Sequence, residues 1–305
     1  MLKRLLTAGA MACLSSAAAM AAPTPLITVP HTCSAEVSLS AADYATFKAQ
    51  LALAVEASGN GGLGFNMWAT IVAKDGTVCA VAYSGSHKVD QWLASRVISA
   101  QKAATANSLS LGVVTGASTK GQFALSTANL YSATQPGGSL YGLSDSNPVA
   151  AAGAYGDRID TSTGAYIGPL DTTTYGMPAD PMVGQVIGGI NVFGGGLALF
   201  NGSGIRKGGV GVSGDTSCTD HMVAWHLRHN LNLDLLATGG ISGPAALISG
   251  GPGDTTHPDN IIFDILANPA GGTGSSHHGF GHPTCLNNPV VNPATGTPTS
   301  LPPVQ

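Results

Sequence analysis

Nine histidines, five cysteines and a lysine embedded in small residues carry most of the reactive chemistry in this sequence of 305 residues. His87 follows Ser84-Gly85-Ser86 in a turn-rich stretch, where a neutral imidazole can reach a metal from a surface loop; the competing reading is a solvated loop histidine. His221 directly follows Asp220 at the expected start of a helix, whose N-terminus disfavours the imidazolium and keeps the ring neutral, as a ligand must be. The alternative is that Asp220 caps the helix and His221 is an exposed neighbour. His226 and His229 are three apart and share a helix face that suits a divalent metal, in principle with His221. Arg228 stands among them and no carboxylate completes the set, so a plain polar face is the preferred reading. His277, His278 and His282 cluster in a glycine-rich stretch able to take copper, zinc or haem, although a flexible backbone preorganises such a site poorly.

Lys102 lies in the run Ser-Arg-Val-Ile-Ser-Ala-Gln-Lys-Ala-Ala-Thr-Ala from Ser95 to Ala106. A positioned ammonium can pair with a ligand carboxylate, with Thr105 donating nearby. Equally, Lys102 can snorkel over a sheet edge while Thr105 bonds back to helix carbonyls. Ser213 and Gly214 close the run Gly208-Gly209-Val210-Gly211-Val212, which reads as close backbone approach and a strand-to-helix turn rather than catalysis. Trp68, Trp92 and Trp225 read as core. Several familiar motifs fail: the serine-hydrolase elbow is broken by Asp215, no H-E-x-x-H pair exists, and the carboxylates are scattered. Gly59-Asn60-Gly61-Gly62-Leu63-Gly64 follows a helix and precedes a strand, the reverse of the order that cradles pyrophosphate.

The elements that must position these residues are readable in part. Ser40-Ala41-Ala42-Asp43 resembles a capping box ahead of Tyr44, Phe47, Leu51, Ala54 and Val55 at helical spacing, ending at Gly59. Residues 66–73 and 77–83 form a hairpin around Asp75-Gly76, and residues 91–111 a second, closely packed helix. Residues 112–181 dissolve into turn formers, a long inserted loop. Residues 185–193, 197–200 and 207–212 are short and β-like, completing an antiparallel sheet, and residues 220–236 form a helix with Val223, Leu227, Leu231 and Leu235 on one face. Beyond them only residues 261–266 are compact, and the last twenty residues read as mobile.

Charged residues are only 9% of the chain, against about 25% in an average soluble protein. The formal net charge of -4 argues against a nucleic-acid partner, and 44% hydrophobic residues suffice for a core. Lys3 and Arg4 before an apolar run, and Ala19-Met20-Ala21-Ala22, mark residues 1–22 as a secretory signal peptide, implying a periplasmic or secreted protein with no membrane span in the mature chain. Cys13 lacks the leucine three residues earlier that lipidation expects. Cys33, Cys79, Cys218 and Cys285 remain, an even number for two disulfides in any of three pairings; a zinc site is the rival, without a C-x-x-C pair to support it.

The Ser95 to Ala106 run, then Gly194-Gly195-Gly196-Leu197-Ala198-Leu199, the run from Gly208 to Gly214, and Asp220-His221-Met222-Val223-Ala224 come in a definite order. In that order the sequence resembles the family of GlcG and HbpS-like haem-binding proteins, whose domain is also found fused to cobalamin adenosyltransferases. The resemblance covers residues 38–112 and 185–237. It implies an α+β, profilin-like domain over residues 38–237, an antiparallel sheet flanked by helices with a loop insertion at about residues 113–184, followed by an irregular Gly/Pro-rich C-terminal extension over residues 238–305. It further implies a homo-oligomer that binds haem, with His87, Lys102, Thr105, Ser213, Gly214, Asp220 and His221 as the cofactor-binding set and His87 or His221 on the iron.

The chain departs from the family in Ser84-Gly85-Ser86-His87-Lys88-Val89-Asp90, in the longer loop and in the His-bearing tail, so no axial ligand transfers by motif alone. The expectation is an exported protein holding haem non-covalently for transport, storage, sensing or redox protection. The alternatives are a haem- or metal-dependent redox enzyme on the same scaffold, and a cofactor-free accessory subunit partnering another periplasmic protein.

Overall fold

The computed structural model describes residues 33–34, 37, 41–112, 123–156, 158–160, 163–168, 170–201, 204–236, 254–266, 268–271, 274–292 and 296–305. The expected signal peptide, residues 1–22, lies outside them. Helix α1 (Ala41–Glu56) buries Phe47, Leu51 and Ala54 on one stripe, and its end is capped by Asn60, whose Nδ2 donates to Ala54 O at 2.9 Å and Val55 O at 3.1 Å. Strands β1 (Trp68–Ala73) and β2 (Val78–Tyr83) form the expected hairpin, with Asp75 Oδ1 accepting from Thr77 N at 2.9 Å across the turn. Strands β3 (Gly196–Phe200) and β4 (Arg206–Ser213) complete one sheet of order β2-β1-β4-β3, antiparallel throughout.

Both sheet faces are covered, and β1 shows how. Trp68 and Val72 pack with Val97, Ala100 and Ala103 of helix α2 (Ser95–Leu109), while Ala69, Ile71 and Ala73 face the core shared by α1 and helix α3 (Ser217–Asn230). The result is an α+β domain whose antiparallel sheet lies between helices, as expected. Each outer strand is bonded in part by a crossing segment. The Val78 end of β2 exchanges bonds with a crossing segment, Val78 N to Gln185 O at 2.8 Å and Gly184 N to Val78 O at 2.9 Å. Phe200 N of β3 donates to Leu233 O at 2.8 Å, and Thr127 N to Gly196 O at 3.0 Å.

The glycines of β4 and β3 set the seat of α2. A Cβ on Gly211 would lie 2.0 Å from Ser99 O, one on Gly209 2.3 Å from Ala103 O, and one on Gly196 2.5 Å from Lys102 O. Only bare backbone lets the helix rest this close to the strands. The small residues of α2 follow from the same contact, since Ala100, Ala103 and Ala104 are all buried.

Several expectations are corrected. Helix α2 begins at Ser95, because residues 84–94 spend their polar groups locally: Asp90 Oδ2 accepts from His87 N at 2.7 Å and Gln91 Nε2 donates to His87 O at 2.7 Å. Trp92 is therefore no core residue and stands 53% exposed. Residues 185–193 form isolated bridges instead of a strand, interrupted by Gly188 and Gly189 at positive φ. Helix α3 starts at Ser217, capped by Thr216, whose side chain accepts from Thr219 N, and it stops before Asn232 at φ 59°; Leu231 and Leu235 lie beyond it.

The stretch between α2 and β3 holds short helices at Leu130–Ala133 and Ala151–Tyr155, and Arg96 of α2 anchors it through Asp180, Nε to Oδ2 at 2.8 Å. The C-terminal extension packs on α3, burying Ile261, Ile262, Leu301 and Val304, with Trp225 Nε1 donating to Pro302 O at 2.9 Å, so the described end of the chain is seated rather than loose. The disulfides are Cys33–Cys79 and Cys218–Cys285. No described helix is long and apolar enough to cross a membrane.

Replacing Gly211 by Ala drives a methyl into the Ser99 carbonyl and is expected to cost about 3 kcal/mol in urea unfolding, against under about 0.5 kcal/mol for Ala at the exposed Ile205. Equal losses at the two positions would refute the close seat of α2.

Candidate functional site

Four of the seven residues singled out in the sequence converge in the interior. The stem of Lys102 crosses Gly211, whose hypothetical Cβ would lie 3.0 Å from Lys102 Cβ, and its ammonium reaches Asp220 Oδ2 at 2.6 Å. Val212 O at 3.1 Å and Ser213 Oγ at 3.3 Å accept further bonds, and the Phe193 ring covers the ammonium at 3.9 Å. Asp220 also accepts from Gly214 N at 3.0 Å and Asp215 N at 2.9 Å. Both charges are fully buried. Burial lowers the Lys102 pKa, with Asp220 opposing, and raises that of Asp220 to about 6, with Lys102 opposing. The pair thus locks α2 to the start of α3 and presents no open charge as it stands.

The other three residues separate. Thr105 Oγ1 donates to Gln101 O at 2.8 Å, the helix back-bond, and also accepts from Asn191 N at 2.9 Å, fixing the segment that leads into β3. His221 sits in the second turn of α3, fully buried; Ile261 N donates to its Nε2 at 3.1 Å, and Nδ1 has no hydrogen-bond partner among the described residues. The cause of its neutrality is therefore burial, which pushes its pKa down to about 3, rather than the helix end. His87 is at the surface, its side chain 79% exposed, on a loop stiffened by Asp90 and Gln91.

Around that loop stands an apolar patch. Trp92 and Phe65 meet edge to face at 5.3 Å, and Leu63, Val89 and Leu93 are exposed beside them in sequence. The 61–65 turn that carries Leu63 and Phe65 is held by Asp215, which accepts from Leu63 N at 2.9 Å and Phe65 N at 3.0 Å. In the sequence Asp215 stands out only as the residue that breaks the hydrolase elbow. Its place immediately after the Ser213-Gly214 turn is the sequence signal of an anchoring role.

The remaining histidines do not gather as a set. His229 Nδ1 pairs with Asp234 at 2.7 Å, and Arg228 is drawn inward to Asp259 by bonds of 2.6 and 2.8 Å, so the α3 histidines form no metal cluster among the described residues. His278 pairs with Asp264 at 2.9 Å, whereas His282 is buried against α3 between Ser217 Oγ, 2.7 Å from Nε2, and Pro283 O, 2.6 Å from Nδ1. Burial lowers its pKa to about 4.

What fold and site define together is an antiparallel sheet between helices with a buried ion pair at its centre and an exposed imidazole at its rim. No protein-family model and no curated protein matches the chain. Among solved structures it is similar to PduOC in its crystal structure with haem, at 21% identity and a TM-score of 0.37 over 64% of this chain and 96% of that one. It is also similar to Klebsiella pneumoniae protein ORFY of the DUF336 family model, at 23% identity and a TM-score of 0.35 over 63% of this chain and 90% of the other.

Two measurements check this geometry. Lys102→Met strands a buried carboxylate and is expected to cost about 3–5 kcal/mol, while Lys102→Met with Asp220→Asn recovers at least about 2 kcal/mol of the summed single losses; strict additivity would show that the pair is not coupled. His282 is folded at about 4, below its usual 6.5. Its contribution to stability is complete above pH 6.5 and is lost as pH falls toward 4, by about 1.4 kcal/mol per unit. In His282→Gln the acid loss between those values becomes shallower by one proton's worth, and an unchanged slope would show that the ring is not held neutral.

Proposed function

We propose that this is an exported haem-binding protein that holds haem non-covalently at the rim formed by the 61–65 turn and the 84–94 loop, with His87 on the iron. The observation that carries the reading is the exposed His87 imidazole on a stiffened loop bordered by Trp92, Phe65, Val89 and Leu93. Haem needs a nitrogen donor and an apolar surface for its ring, for which His87 and the Trp92–Phe65 pair are the candidates. The order of sequence motifs shared with the haem-binding family supports the same reading. Bound there, haem supplies a redox-active iron for transport, storage, sensing or protection.

In this reading Lys102, Ser213, Gly214 and Asp220 act from beneath, by fixing α2 and the strand-to-helix turn, and Thr105 by fixing the approach to β3. His221 is the interior candidate for the iron and requires the backbone at Ile261 to move away. An exposed apolar rim also suits assembly of like chains, so a homo-oligomer is part of the proposal.

Titration of the mature, disulfide-intact protein with hemin is expected to saturate near one haem per chain with a shifted Soret band. His87→Ala should weaken binding at least tenfold, and His221→Ala should leave the band in place. A saturable band indifferent to His87 moves the ligand elsewhere; a protein that forms a defined assembly and ignores hemin overturns the haem reading in favour of an accessory subunit.

A further inference from the structure

The first turn of α3 and the C-terminal extension meet at a second group of ligating atoms. Cys218, His282 and Cys285 bring one ligand atom each within 4.8 Å of one another, two of the residues buried and Cys285 half-buried. The sulfurs are joined as the Cys218–Cys285 disulfide, with Cys218 Sγ 3.9 Å from His282 Nδ1. We infer that this bridge is a masked metal site: when it is reduced, Cys218, Cys285 and His282 bind a thiophilic ion such as Zn2+ or Cu+ through two sulfurs and one imidazole nitrogen.

Three features beyond proximity support it. Cys218 N donates to Cys285 Sγ at 3.2 Å, and Cys218 lies in the first turn of a 14-residue helix; both favour negative charge on sulfur. His282 has an outer partner already in place. For Nδ1 to reach the metal it gives up its 2.6 Å bond to Pro283 O; the ring proton then resides on Nε2 and is donated to Ser217 Oγ, 2.7 Å away, the kind of support that metal-bound imidazoles use. Tyr131, with ring centroids 5.3 Å away, and Phe263, at 6.4 Å, pack against the His282 ring.

The extension is also held without the bridge. Asp259 binds Arg228 twice, Asn129 Nδ2 donates to Asn260 O at 2.9 Å, and Trp225 bonds Pro302, so opening the disulfide leaves His282 and Cys285 beside α3. The chemistry balances simply. A dithiol reductant is oxidised to its own disulfide as Cys218 and Cys285 become thiols, and the metal then displaces their two protons. Three protein ligands leave a fourth position for an exogenous group. The site is independent of the haem reading, since it uses neither His87 nor the exposed rim.

The test uses cobalt(II) as probe on the mature protein, oxidised or reduced with dithiothreitol and then freed of it without air. The reduced protein is expected to bind one Co2+ per chain with an intense near-ultraviolet thiolate-to-cobalt band, and the oxidised protein to show none. Reduced His282→Ala should keep a thiolate band with at least tenfold weaker binding. Reduced Cys218→Ser with Cys285→Ser should lose the band, although Cys33 and Cys79 are then still free. Equal binding by oxidised protein or by the double variant overturns the proposal. So does a reduced protein that binds no cobalt, whether its far-ultraviolet dichroism is retained or lost, because the site requires the extension to stay seated.

Discussion

Much of this molecule follows from how closely one helix lies on one sheet. Helix α2 rests its carbonyls against Gly209, Gly211 and Gly196, where ordinary side chains would stand. Because Gly211 has no side chain, the Lys102 stem passes over it, where a Cβ would lie 3.0 Å from Lys102 Cβ, and its ammonium reaches Asp220. A charge pair is expensive to bury, and here it is met on every side: Val212 and Ser213 for the ammonium, Gly214 N and Asp215 N for the carboxylate. The turn from β4 into α3 is fixed by these bonds, and through Asp215 so is the turn at residues 61–65.

The local pattern made the framework legible. Helical spacing at Phe47 and Leu51, the Asp75-Gly76 turn and the glycine run of β4 each name an element whose neighbours are close in sequence. The order of motifs placed Lys102 and Asp220 in one set, although sequence offered a ligand carboxylate as the lysine's partner where the fold supplies an internal one. Long-range polar contacts were not legible. Nothing local to Arg96 announces Asp180, and nothing local to Arg228 announces Asp259; such partners are chosen by tertiary packing. Trp92 shows the reverse error, since a large aromatic within an expected helix suggests core until the polar bonds of Asp90 and Gln91 hold the preceding loop out of helix.

The histidines divide by burial rather than by spacing. His221 and His282 are enclosed and neutral, each bound to groups of the C-terminal extension, whereas His87 faces solvent. Identical side chains thereby acquire different tasks: those inside join the extension to α3, whereas His87, like His277 and His278, stands at the surface. This division also explains why a tail rich in glycine and proline is well seated. Beyond one short antiparallel pair, Ile265–Leu266 with Ser275–Ser276, its described residues are held by partners elsewhere in the chain, on α3 and at Asn129 and Gly62.

The crossing bonds along the outer strands carry a further consequence. Backbone groups at the Val78 end of β2 are taken by residues 184–185, and β3 is occupied by Thr127 and Leu233. Unpaired strand edges are the usual templates for joining sheets between molecules. Along β3 and at the Val78 end of β2 the sheet is therefore poorly disposed to grow by recruiting a neighbour's strand. Chains that meet along those stretches must do so through side chains, with shape and apolarity rather than backbone pairing choosing the mate.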